Sequence, residues 1–280
     1  MRPRILGALF AMCLCLGASA AMAHHGGGGG GVGASQSVLH LLNPPRSNVY
    51  YNFRFNSLRS DQGFSILNEV GGEYAFLHRF SIGFDIPVWT TDNVLLPSVT
   101  KLGDIALLFK AEIWRSQKHR VQLLGGLNTG FPTGNDQVSL GAGAVTLTPY
   151  LTFLLRRDHF TYFLNLENLF EASSDFNPTF DFDTGFMFPI VRGKLPVSFL
   201  ISFNGVEYIE SDTFSSGSFK GYVIGGFILD ITDHWEMVVQ GRVSVVDDLN
   251  IKPDIPFNDL ATGLFADIKG TFGLNLTYQF

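Results

Sequence analysis

Eight charged residues share one side of the chain once it is drawn as alternating extended segments: Arg54, Asp85, Asp104, Lys110, Glu112, Asp181, Asp183 and Arg242. Acids and bases on one face can pair with each other or orient a polar solute, whereas a charge facing hydrocarbon is costly. A plain salt-bridged interior is the competing reading for each of them. His24 and His25 offer other chemistry. If the mature chain starts at His24, its amine and imidazole, with His25 beside them, could chelate a metal; a solvated tail is the simpler reading. Residues 26–31 are all glycine, a flexible low-complexity tract. Catalysis finds no support. His40, His78, His119, His159 and His234 fall in predicted turns or ahead of the first strand, without a serine and a carboxylate aligned beside them. Gly-x-Ser-x-Gly, His-Glu-x-x-His and phosphate-loop patterns do not occur. The chain does not read as an enzyme, and no cofactor is expected.

The elements that must carry those charges are strands. At the C-terminus Phe272, Leu274, Leu276, Tyr278 and Phe280 alternate with Gly273, Asn275, Thr277 and Gln279. One face is apolar and the other small or polar, which suits a wall between lipid and water. The same alternation predicts strands at about 48–57, 65–77, 80–89, 103–115, 120–131, 139–155, 160–170, 178–190, 196–209, 219–231, 235–246 and 267–280. Phe180, Phe182, Phe186 and Phe188 oppose Asp181, Asp183 and Gly185; Val197, Phe199, Ile201 and Phe203 oppose Ser198, Ser202 and Asn204. Pro149 is a misfit inside its segment, because it cannot donate to a ladder.

Residues 1–23 read as a secretory signal peptide. Arg2 and Arg4 precede the apolar run Ile5 to Leu16, and Ala21-Met22-Ala23 offers small-x-small cleavage. Neither Cys13 nor Cys15 follows a lipobox, and both leave with the signal, so no disulfide is expected. Losing Arg2 and Arg4 takes the formal charge from −6 to about −8. No basic patch suggests a nucleic-acid partner. With 27 phenylalanines the chain is too apolar for disorder. Residues 24–47 form a flexible His- and Gly-rich segment, and 48–280 one β domain.

The turns sort by parity. Those near His78-Arg79, Gln117-Lys118, Asp158-His159, 192–194 and Asp233-His234 are short; those at 90–102, 132–138, 171–177, 210–218 and 247–266 are longer, and the first, at 58–64, is intermediate. This predicts an all-β fold: a twelve-stranded antiparallel transmembrane β-barrel with short periplasmic turns, longer extracellular loops and both termini in the periplasm. Its partners would be membrane lipid and, through the terminal aromatic Phe280, the outer-membrane insertion machinery. A soluble periplasmic β-protein would need the Phe faces to pack on each other. A structural or adhesive barrel with a sealed lumen is the other alternative.

Two short patterns resemble a known family. Gly103-Asp104 opens a segment ending at Lys110, and Pro132-Thr133-Gly134 follows the next strand; Asp85-Ile86-Pro87-Val88 also fits. They resemble the outer-membrane family named for the meta-pathway of phenol degradation, over roughly residues 48–280. The resemblance implies a barrel of the bacterial outer membrane and uptake of small hydrophobic or aromatic solutes. Twelve strands give a backbone diameter of about 24 Å, most of it filled by side chains. Trp89, Leu108, Trp114, Phe163, Leu200 and Phe227 are expected to point inward as an apolar lining. The functional expectation is passive passage of a small solute past Asp104, Lys110 and Glu112.

Overall fold

The computed structural model describes residues 42–58, 63–93, 98–116, 118, 120–134, 144–171, 179–209, 218–248 and 268–280. His24, His25 and the signal segment lie outside them. The strands are β1 (Asn48–Leu58), β2 (Gly63–Phe76), β3 (Phe80–Asn93), β4 (Val99–Leu102), β5 (Ile105–Arg115), β6 (Val121–Phe131) and β7 (Thr146–Arg156). They continue with β8 (Thr161–Glu171), β9 (Thr179–Val191), β10 (Val197–Tyr208), β11 (Ser218–Asp230), β12 (Trp235–Asp248) and β13 (Ile268–Gln279).

All pairings are antiparallel, and β1 zips onto β13 from Asn48↔Gln279 to Leu58↔Ile268, so the sheet closes on itself without an edge. β4 and β5 both pair with β3, at Val88↔Leu102 and Asp85↔Ala106, and are one wall strand interrupted by a bulge at Gly103 and Asp104. Gly103 N donates to Pro87 O at 2.9 Å across that bulge. The wall is therefore a closed twelve-stranded antiparallel barrel.

The expected loop at 90–102 is shorter than its sequence suggested. Thr90 and Thr91 pair with Thr100 and Val99, so most of that stretch is wall. Pro149 does lie within β7, and the ladder to β8 passes from Leu147↔Phe170 to Tyr150↔Glu167 with no pair between. A residue without an N–H fits where the ladder lapses.

The outside is apolar. Phe84, Phe109, Phe186, Phe227 and Phe272 are 40–50% exposed while inward neighbours are buried. At the short-turn end Phe153, Tyr162, Phe160, Phe186 and Phe188 form one chain of rings, and Trp235, Tyr278 and Phe280 another. Towards the opposite end Phe180, Phe182, Phe203 and Phe219 are in ring contact. Aromatic belts at both rims of an apolar band are the signature of a wall that sits in lipid. A soluble protein would have turned these faces onto each other.

Candidate functional site in the barrel interior

The inward period of β2, β3 and β5 converges on a buried ion pair. Lys110 Nζ lies 2.8 Å from Glu73 Oε2, with both side chains 2% exposed. Ser81 Oγ donates to the other oxygen of Glu73, which also accepts the Arg46 amide at 3.4 Å. Lys110 further attracts Asp85. Both carboxylate oxygens of Asp85 are buried without a hydrogen-bond partner. Gly71 makes this crowding possible, since a Cβ there would meet the Tyr50 ring at 2.3 Å and Asp85 Oδ1 at 2.4 Å.

Two further charged groups extend the polar interior. Glu112 accepts the Arg115 guanidinium, Nε at 2.7 Å, and Gln122 Nε2 at 3.3 Å. On β1 and β2, Arg54 is attracted to Glu69 and repelled by Arg242; Arg242 stacks on the Tyr222 ring at 4.3 Å. Glu167 stands directly opposite Asp181, and Asn165 opposite Asp183, on β8 and β9.

Of the eight charges singled out by sequence, Arg54, Asp85, Lys110, Glu112, Asp181 and Asp183 are buried inside the wall, and Arg242 is half-buried. Asp104 is displaced: it belongs to the bulge between β4 and β5 and accepts the Gly134 amide at 2.8 Å, near the long-loop rim. Glu69, Glu73, Glu167 and Lys220 were missed. Their signal was present, since each alternates with outward residues, but Asn68 and Gly72 blur the outward face of β2.

Among these polar groups lies an apolar belt, with Asn52, Thr152, Ser202, Asn204 and Asn275 also buried inside the wall. Leu124, Leu154, Phe163, Leu200, Ile224, Ile228 and Val238 form one buried cluster, with Met187 against it. These come from β6, β7, β8, β10, β11 and β12, so the belt lies towards the short-turn ends of that wall, while Thr148, Asn204 and Lys220 are buried on its long-loop side. Its last member is not in the wall. Leu42, five residues ahead of Ser47, is 2% exposed within the same cluster. Arg46 then bonds Glu236 at 3.2 Å, and Ser47 Oγ accepts the Ala75 amide at 3.0 Å. Residues 42–47 thus enter the interior from the short-turn end.

The expected apolar lining needs two corrections. Leu108, Phe163 and Leu200 are buried inside, and Trp89 packs against the Gly103 bulge. Trp114 is instead 46% exposed, because a bulge between Glu112 and Trp114 reverses the strand's parity. Phe227 also faces out, against Phe199 at 5.5 Å, since the inward residues of β11 are Ile224, Gly226 and Ile228.

No family model and no curated protein matches the chain, so the phenol meta-pathway resemblance rests on its short motifs. Solved structures do match. An outer-membrane channel from Pseudomonas putida F1 superposes with a TM-score of 0.61 at 11% identity, covering 88% of this chain and 99% of that one. The NanC porin gives 0.53 at 8% identity, covering 84% and 100%. At such identities the likeness is one of fold, and the fold is that of bacterial outer-membrane barrels, the membrane for which an apolar outer wall of this kind is built.

Proposed function

We propose that this protein is a non-enzymatic outer-membrane channel that lets small solutes through by diffusion, apolar and aromatic ones above all, and that residues 42–47 gate its periplasmic end. The observation that carries this is the apolar belt around Leu42. A barrel that passed only hydrated ions would line its interior with polar groups throughout. Here a belt of seven wall residues offers an apolar guest a dry surface near the short-turn end, and the side chain now on that surface belongs to a segment outside the wall. The polar residues around it, Lys110, Glu73 and Asp85 among them, keep such a path partly wetted and set its orientation. The motif resemblance to the phenol meta-pathway family, which implies uptake of small hydrophobic or aromatic solutes, points the same way.

The test is single-channel conductance and solute flux of the refolded mature protein, with and without residues 24–47. Flux of a small aromatic alcohol that rises on truncation supports a gated channel. The second reading, a sealed structural barrel, is favoured by how little solvent reaches Leu67, Leu124, Leu154 and Leu200, all at 0% exposure. Silence of a folded barrel in both forms would decide for it.

A further inference from the structure

Two arginines in the interior hold donors that nothing uses. Arg54 is 4% exposed, and its Nη1 is buried without a hydrogen-bond partner. Arg242 Nε is buried and unpartnered as well. They flank one place in the wall. Arg54 stands opposite Gly273 on β13, and Gly273 stands opposite Gln240 on β12, two residues before Arg242. The glycine leaves the wall between them without a side chain, and Gln240 leans over it with Nε2 3.4 Å from where a Cβ would lie.

Bringing two guanidinium groups together in a low-dielectric interior is unfavourable unless anions hold them. Glu69 attracts Arg54 and Asp183 attracts Arg242, yet both donors stay open. Arg242 is fixed by its stack on Tyr222, whose ring also lies 5.8 Å from Lys220 Nζ. A planar, oriented guanidinium with a free N–H is the group that recognises a carboxylate. Beside it the chemistry changes. Ile224 stands opposite Arg242, and Ile228 opposite Val238, which opens the apolar belt.

We propose that Arg54 and Arg242 form a lumenal subsite for the carboxylate of a small aromatic acid, bound across Gly273 with its ring on Ile224 and Val238. This rests on the channel reading only in that a solute must reach the lumen. It narrows that reading from apolar solutes in general to those carrying one carboxylate.

The probes are benzoate and benzyl alcohol, which share a ring and differ in the carboxylate. Binding to the full mature barrel, folded in detergent, is followed by calorimetry. Benzoate is expected to bind at least tenfold more tightly than benzyl alcohol, and Arg54→Gln and Arg242→Gln each to remove at least tenfold of benzoate affinity while leaving benzyl alcohol unchanged. Equal binding of the two probes, or unaltered benzoate binding in both variants, overturns the subsite. Should Arg54→Gln lose heat-modifiable gel migration, Arg54→Lys keeps the charge but not the fork and is expected to bind benzoate between wild type and Arg242→Gln; wild-type affinity in Arg54→Lys counts against the subsite. Flux into liposomes is scored separately: tight benzoate binding with no flux keeps the subsite and removes the channel.

Discussion

Lys110 Nζ and Glu73 Oε2 are 2.8 Å apart on strands that are not neighbours, with β3 between them. The pair therefore ties the inner ends of β2 and β5 across the Ser81 position, and Ser81 itself donates to Glu73. Removing either partner leaves a buried charge alone, which costs about 3–5 kcal/mol. Lys110→Met and Glu73→Gln should each lower the urea midpoint of the refolded barrel by an amount of that order. Lys110→Met combined with Glu73→Leu should recover most of it, because an apolar pair of similar volume needs no partner. A double variant as unstable as the singles would mean that the pair acts through contacts other than its charge.

Leu42 and Arg46 make the gate testable residue by residue. Leu42→Asp puts a carboxylate against Leu124, Phe163 and Val238, a contact unfavourable by several kcal/mol if the segment stays in place. The segment is expected to leave instead, raising single-channel conductance while the barrel keeps its heat-modifiable migration. Arg46→Ala removes a part-buried bond to Glu236 and should raise open probability less than Leu42→Asp does, since one charged hydrogen bond contributes about 1.5–3 kcal/mol. Unchanged conductance in Leu42→Asp would sink the gate.

Much of this wall was legible before any coordinates. Alternation placed most strands to within a few residues, though β7 begins at Thr146 rather than 139 and residues 139–143 lie outside the described ones; the facing of Phe186 against Asp183 or Phe199 against Ser198 followed from period two alone. Period two fails where the backbone slips. The bulge after Glu112 turned Trp114 outward, and the one at Gly103 carried Asp104 off the ladder to the Gly134 amide. Convergence was also hidden. Nothing in the local pattern says that inward Leu124, Phe163 and Val238, up to more than a hundred residues apart in the chain, meet around Leu42. That contact depends on closure of the sheet and on a segment outside it.

Gly71 should resist substitution for a reason that a second change can relieve. The atoms a Cβ there would meet first belong to side chains, the Tyr50 ring at 2.3 Å and Asp85 Oδ1 at 2.4 Å. Overfilling of this kind costs about 1–3 kcal/mol. Gly71→Ala is expected to lower the urea midpoint, and Tyr50→Val in the same chain to restore part of the loss by vacating the space. Gly126 is the contrast. A Cβ at that position would meet the Phe109 carbonyl oxygen at 2.1 Å as well as Tyr150, so Gly126→Ala should not be rescued by Tyr150→Val. Equal rescue at both sites would refute the distinction between side-chain and backbone crowding.

The turn from β2 to β3 carries strain that sequence chemistry can remove. Leu77 and His78 have φ of 53° and 55°, and neither is a glycine. The loop between the paired Phe76 and Phe80 holds three residues, Leu77, His78 and Arg79, and the first two take this left-handed form, which Asn and Gly adopt most easily. A bulky side chain there is unfavourable. Leu77 is also 76% exposed at the short-turn rim, so it contributes little packing to offset the conformation. Replacing the pair by Leu77→Asn and His78→Gly should therefore stabilise the barrel by about 1 kcal/mol. The gain should show in the unfolding rate as well as in the urea midpoint, with solute flux unaltered because no interior residue changes. A midpoint that falls instead would show that Leu77 holds the rim by a contact stronger than the strain it carries.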